Sequence, residues 1–235
     1  MNEEYRTTML KAIAERHSVR NYREEPLDSK TVERLRHKIN ELNREGHLHM
    51  QLVLEEPKGF SGIMAYGKFS GVRNYVVMAG VKSQTLDERV GYYGEQLVLY
   101  AQSLGLNTCW AGLSYRKVEG TYELAAGEKI ACYIAIGYGE TQGKSHKIKS
   151  LEQVSNAGPE TPGWFIDGVE AALLAPTAIN QQKFHFEYVP PVGEEEKAMV
   201  VASKGFSMIG STNMDLGIAK YHFEVGAGPD NFTFK

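Results

Sequence analysis

The sequence has few of the features that mark a specialised class of protein. Its 235 residues include two cysteines, Cys109 and Cys132, and both stand among apolar or aromatic neighbours. Two thiols cannot build a disulfide framework, and no spacing of cysteine or histidine indicates a metal site. We therefore expect buried free thiols and no bound metal.

Charge of one sign and long apolar runs are scarce as well. The formal net charge is -3, which gives no reason to expect nucleic acid as a partner. No run approaches the roughly 18 apolar residues that span a bilayer, and the first residues lack the pattern of a secretory signal. These absences predict a cytoplasmic protein, with no nucleic-acid or membrane partner, in which any anion site is a local basic cluster.

What the sequence does contain is typical of a globular protein, with 42% hydrophobic residues. Its periodicity predicts helices packed against an antiparallel-dominated sheet, hence the α+β class. A linker-like stretch, 155–163, divides the chain into a first half, 1–154, and a second, shorter half, 155–235, which together form one compact unit. The predicted helices span 5–17, 88–104, 164–174 and about 212–224, and a further helix begins after Asp28 as its N-cap. The predicted strands span 74–79, 130–136, 184–188 and 198–202. Residues 57–71 are predicted to form a glycine-rich loop.

The first segment that suggests chemistry is the junction between the first helix and the extended stretch after it. Arg16 and Arg20 flank Ser18 there, with His17 between. Two guanidinium groups and a hydroxyl suit a phosphate, which accepts bidentate hydrogen bonds. The alternative is a solvated helix end whose basic residues complement the helix dipole.

A second segment is basic and follows the strand at 130–136. It contains Lys144, His146, Lys147 and Lys149. Such a run is often a solvated loop, and a phosphate-binding role is the alternative. The two basic segments reinforce each other only if the fold brings them together.

Two further segments suggest contact with a flat ligand. Pro176 ends a predicted helix, and Thr177 and Asn180 follow; an amide matches a pyrimidine edge, although an ordinary helix-stop loop is the alternative. After the helix at 88–104, Trp110 is followed by Ala111 and Gly112. Small residues allow backbone N–H groups to approach a planar ring, and core packing is the alternative.

Together these segments resemble the nitroreductase family of FMN enzymes. Residues 12–22 resemble its arginine-serine-x-arginine opening, and 90–113 resemble its central helix and following turn. Residues 132–151 resemble its glycine-tyrosine strand end and basic phosphate ligands. Residues 175–180 resemble its alanine-proline-serine-x-x-asparagine element.

One departure from the family pattern concerns the order of these elements. In ordinary members the proline-asparagine element follows the opening by about one helix, but residues 30–50 lack it and it stands after residue 170. In the ordinary homodimer one subunit gives the basic signature and its partner gives the proline-asparagine loop. The resemblance therefore implies a fused pseudo-dimer with one FMN per chain, for which a monomer suffices. A weak internal similarity between the halves is consistent with such a fusion. Helices 88–104 and 212–224 each carry an early glycine, which is Gly91 or Gly94 in the first and Gly217 in the second.

The resemblance also implies a function. Electrons pass from NADH or NADPH through FMN to a small acceptor, nitroaromatic, quinone-like or unknown, by a ping-pong mechanism. The flavin supplies the chemistry, so no catalytic side chain is named. Alternatives are a flavin-binding or sensing protein without efficient turnover, a scaffold that has lost FMN, and a flavin-fragmenting or dehalogenating relative. The cofactor-binding residues so implied are Arg16, His17, Ser18, Arg20, Trp110, Ala111, Gly112, Lys147, Lys149, Pro176, Thr177 and Asn180.

Overall fold

Two sheets and two central helices organise the protein, whose computed structural model describes residues 1–61, 68–191, 193 and 197–235. None of the helices in these ranges has the length and hydropathy needed to cross a bilayer. The helices are α1 (Glu3–Glu15), α2 (Ser29–Gly46), α3 (Leu86–Ser103), α4 (Leu151–Val154), α5 (Gly163–Leu173) and α6 (Thr212–Ala227). The strands are β1 (Gln51–Val53), β2 (Asn74–Val81), β3 (Asn107–Ala111), β4 (Glu128–Gly137), β5 (Phe184–Val189), β6 (Ala198–Lys204) and β7 (Phe232–Phe234).

The strands form one sheet in each half of the chain. The first sheet has the order β1-β2-β4-β3, and all its pairings are antiparallel. The second has the order β5-β6-β7, in which β5 and β6 are antiparallel and β6 and β7 are parallel. The predicted α+β class with an antiparallel-dominated sheet is confirmed. The C-terminal residues join the second sheet as strand β7, which pairs with β6.

Helices α3 and α6 cross at a reciprocal glycine contact. A Cβ atom on Gly91 would collide with the carbonyl oxygen of Met214, and one on Gly217 would collide with that of Glu88. Each glycine therefore lets the backbone of one helix approach the other more closely than any side chain would allow. Gly91 and Gly217, two of the early helix glycines that the halves share, lie at this crossing.

Two main cores lie on either side of the crossing. One packs α2 and α3 against the first sheet, and its members include Leu35, Leu97 and Ile134. The other packs α5 and α6 against the second sheet around Phe165, Phe186 and Phe223. Along α3, Val90, Leu97 and Ala101 recur at helical spacing and form an apolar stripe that is buried in the first core.

Two local differences from the sequence predictions bear on the site. Helix α1 ends at Glu15 rather than at residue 17, because Arg16 is extended (φ -72°, ψ 125°) although its N–H still bonds Ala12 O. The backbone then joins the first sheet, where Val19 N donates to Thr108 O at 3.1 Å. In the predicted loop 57–71, a short 3₁₀ helix spans Pro57–Phe60, and residues 62–67 lie outside the described residues.

Candidate functional site

A cavity of about 600 Å³ lies where the opening segment of the first half meets the turn after α5 in the second half. Residues distant in the sequence share this cavity. Residues 16–21 form one wall, residues of the stretch after β4 also line the cavity, and the turn at 176–180 forms the facing wall. Seven of the predicted cofactor-binding residues line it: Arg16, His17, Ser18, Arg20, Pro176, Thr177 and Asn180.

The first wall is held by backbone hydrogen bonds on both sides. Ser18 forms a bridge with Thr108 at the start of β3. Glu140 N, just after β4, donates to Asn21 O at 2.9 Å, and Arg23 N donates to Tyr138 O at 2.9 Å. The segment is therefore extended and fixed, so its residues reach the cavity from a rigid backbone.

Arg16 is the most buried charged residue of the wall. Only 3% of its surface is exposed, and its Nη2 donates to Leu174 O at 3.4 Å. Its Nε lies 3.8 Å from Glu95 Oε1 and has no hydrogen-bond partner. Burial lowers the pKa of Arg16, and Glu95 partly offsets that effect. A buried guanidinium at a cavity wall suits an anionic ligand, because its charge-assisted hydrogen bonds are strong.

Two histidines accompany Arg16 in the cavity. His146 Nε2 donates to Leu173 O at 3.0 Å, at the C-terminal end of α5. Burial lowers the pKa of His17, and its electrostatic interactions with Arg16 and His146 lower it further. His17 is thus predominantly neutral at pH 7 in the ligand-free protein, since its ordinary pKa is 6.5.

The facing wall is a turn with an uncommon backbone. Ile179, Asn180 and Gln182 all have positive φ angles, of 47°, 57° and 44°. A β-branched residue in the left-handed region is a true outlier, and Ile179 is also 72% exposed. Asp215 of α6 holds the turn by accepting from Ala178 N at 3.0 Å. Backbone strain of this kind is concentrated at functional sites.

The basic stretch after β4 divides its residues between two tasks. Lys144 and His146 line the cavity, whereas Lys147 and Lys149 are not among the described lining residues. Lys149 Nζ instead donates to Gln182 O at 2.6 Å, and Lys147 O accepts from Asn180 Nδ2 at 2.8 Å. These two lysines therefore join the first half to the turn of the second half.

The side-chain amide of Asn180 forms two hydrogen bonds within the protein. Its Nδ2 donates to Lys147 O, and its Oδ1 accepts from Gln182 Nε2 at 2.8 Å. An amide carries two N–H donors and two acceptor lone pairs, so one of each remains for a ligand.

The remaining predicted residues lie farther along β3. Trp110 Nε1 donates to Glu95 Oε2 at 2.9 Å, Ala111 is buried at the end of the strand, and Gly112 is exposed. None of the three is among the described residues that line the cavity. Sequence reasoning did not single out Lys68, an exposed cation of the cavity inside the predicted glycine-rich loop, and no local pattern marked it.

The cavity is strongly cationic although the whole chain is not. Its described lining includes Arg16, Arg20, Lys68 and Lys144 and no acidic side chain, whereas the chain has a net charge of -3. Its volume lies within the range of about 300–1,000 Å³ usual for small-molecule sites. The arrangement therefore suits a cofactor-sized ligand that carries negative charge.

Comparison with known proteins gave a family and a set of similar structures. A family model described as "Putative TM nitroreductase" matches residues 8–227. A putative nitroreductase from Thermotoga maritima is 22% identical, with a TM-score of 0.64, covering 94% of this chain and 84% of that one. A putative nitroreductase from Desulfovibrio desulfuricans in complex with FMN is 16% identical, with a TM-score of 0.50, covering 66% of this chain and 96% of that one. A comparison with curated proteins gave no match.

Proposed function

We propose, from the premise that this chain belongs to the "Putative TM nitroreductase" family, that it is an FMN oxidoreductase of nitroreductase type. It passes electrons from NADH or NADPH to a small acceptor. The donor and the acceptor use the cavity in turn, which gives ping-pong kinetics. When bound, FMN supplies the electron-transfer chemistry, and the protein supplies binding and orientation.

The observation that carries this proposal is the set of cationic side chains, Arg16, Arg20, Lys68 and Lys144, that lines the cavity with no acidic side chain among its described lining residues. Such a cavity attracts an anionic ligand, and guanidinium and ammonium groups form strong charge-assisted hydrogen bonds with phosphate oxygens. Arg16, Ser18, Arg20 and Lys144 would hold the phosphate of FMN. The facing turn, with the spare amide groups of Asn180, would hold the flat ring system.

We also propose that the chain is a fused pseudo-dimer that works as a monomer. The reciprocal contact of Gly91 and Gly217 supports this, because each central helix meets the other in the same way. The division of the cavity supports it too. Among the described lining residues, the half 1–154 contributes all of the lysines and arginines, and the half 155–235 contributes the turn.

Anaerobic titration of the purified protein tests the function. We expect FMN to bind in a one-to-one complex with a flavin absorbance band near 450 nm, and NADH or NADPH to bleach that band. Addition of a quinone or nitroaromatic compound should restore it. Failure to bind FMN would refute the proposal, whereas a stable yellow protein that neither nicotinamide bleaches would be a flavin-binding protein without turnover.

A further inference from the structure

A buried cluster of ionisable groups lies behind the cavity, at the crossing of α3 and α6. Glu95 and His222 are both fully buried. His222 Nε2 lies 2.9 Å from Glu95 Oε1, and Trp110 Nε1 donates to Glu95 Oε2 at the same distance. Arg16 Nε lies 3.8 Å from Glu95 Oε1. The cluster thus extends from both central helices to the cavity wall.

The geometry determines where the protons of His222 lie. Its Nδ1 is 3.0 Å from Ala171 O, and because a carbonyl oxygen only accepts, Nδ1 must carry a proton. The 2.9 Å contact of Nε2 with Glu95 Oε1 then needs a second proton, since two facing lone pairs would repel at that distance. That proton lies on the imidazole or on the carboxyl, and in either case the pair has no net charge.

This shared proton determines the net charge of the cluster that lies beside an anion in the cavity. A lone Glu95 carboxylate beside Arg16 would cancel the charge of the guanidinium. With the proton of the pair present, the three residues together keep one positive charge. Arg16 then retains its positive charge, the feature that favours a phosphate.

We propose that His222 and Glu95 are positioning residues that share one proton and so leave the charge of Arg16 available to a phosphate in the cavity. The choice of FMN as ligand rests on the proposed function, whereas the charge argument applies to any phosphate-bearing anion.

Three variants, Glu95→Gln, His222→Gln and the double variant, separate charge from structure. In Glu95→Gln the side-chain amide can donate to His222 Nε2 and its oxygen can accept from Trp110, so the net charge of the cluster is unchanged. His222→Gln keeps a hydrogen-bond donor toward Glu95 but removes the shared proton. The charges of the Glu95 carboxylate and the Arg16 guanidinium then cancel, and the cluster is neutral. The double variant restores one positive charge.

Titration with FMN, and separately with inorganic phosphate, gives the readout. We expect His222→Gln to weaken both affinities by about tenfold or more, as loss of a charge-assisted bond does, and the other two variants to stay within about threefold of the wild type. Riboflavin, which lacks the phosphate, should show no such pattern. Circular dichroism confirms that each variant is folded.

Several outcomes would overturn the inference. A merely structural role predicts that the double variant binds phosphate no better than His222→Gln. If the pair lacks the shared proton, Glu95→Gln alone should tighten phosphate binding by about tenfold or more, so the test stands even if His222→Gln fails to fold. A wild type that binds phosphate but not FMN would refute the proposed function while leaving the charge test intact.

Discussion

The two walls of the cavity use different means to meet a ligand. The wall from the first half presents charged side chains, chiefly Arg16 and Arg20, on an extended backbone held by the first sheet. The wall from the second half is shaped by left-handed backbone at Ile179 and Asn180 and is held by Asp215. Charge and shape are thus encoded in separate halves of the chain. Substitutions of the charged wall should therefore change the affinity for an anion, and relaxing the strained backbone of the other wall should change stability.

The largest effect is expected where the charged wall is removed. The variant Arg16→Ala with Arg20→Ala should weaken FMN binding by about two to four orders of magnitude, because each charge-assisted hydrogen bond contributes about 1.5–3 kcal/mol. Equilibrium dialysis with FMN measures this. The matched control, Arg36→Ala with Arg44→Ala, removes two exposed arginines of α2 and should leave affinity unchanged. Unchanged flavin content in the first variant would refute the phosphate assignment.

The next largest effect concerns the crossing that brings the two walls together. Gly217→Ala would push a methyl group into the carbonyl oxygen of Glu88, so we expect it to lower the unfolding free energy by about 1–3 kcal/mol. Urea denaturation measures the change. Gly163→Ala in α5, where a Cβ meets nothing within 4 Å, is the control and should not destabilise the protein.

A smaller effect is expected from relaxing the shaped wall. Ile179→Asn places a residue that tolerates left-handed geometry where isoleucine is strained, and little apolar burial is lost because Ile179 is 72% exposed. We expect the unfolding free energy to rise by about 1 kcal/mol, the scale of left-handed strain. Differential scanning calorimetry measures the thermal midpoint. A lower midpoint in this variant would contradict the prediction and show that the Ile179 side chain makes a stabilising contact.

The smallest effect is a pH dependence that distinguishes the ligand-free cavity from the filled one. Since the pKa of His17 is lowered in the folded protein, the unfolded chain binds a proton more readily, and stability should decrease as the pH falls through about 6.5. A bound phosphate should reverse this by raising the pKa of His17, so FMN affinity should increase over the same interval. Titration of the His17 ring signals by NMR, with and without FMN, would show the shift; an identical pKa in both states would contradict it.

Much of the fold could be predicted because it follows from periodic burial. The stripe of α3 and the N-cap of α2 at Asp28, which accepts from Thr31 N, are local signals that burial and capping enforce. Strand β1, with three residues, and α4, with four, are too short to show a period. Their positions depend on neighbours that are distant in the sequence.

The candidate site could be predicted only in part, for a similar reason. The residue types around Arg16 and Asn180 indicated anion and amide chemistry, and the fold brings both segments to one cavity. Which lysines of a basic loop face that cavity depends on the path of the loop. Lys144 lies there, while Lys149 bonds the backbone of Gln182. Glu95, which lies beside Arg16, and His222, which contacts Glu95, come from helices that are far away in the chain.

The cavity has both of its walls on one polypeptide, and this has a consequence for dilution. In an assembly of two subunits, a site between them is lost once the concentration falls below that needed for association, whereas tethered walls meet at a fixed effective concentration. Specific activity should therefore be constant down to nanomolar enzyme.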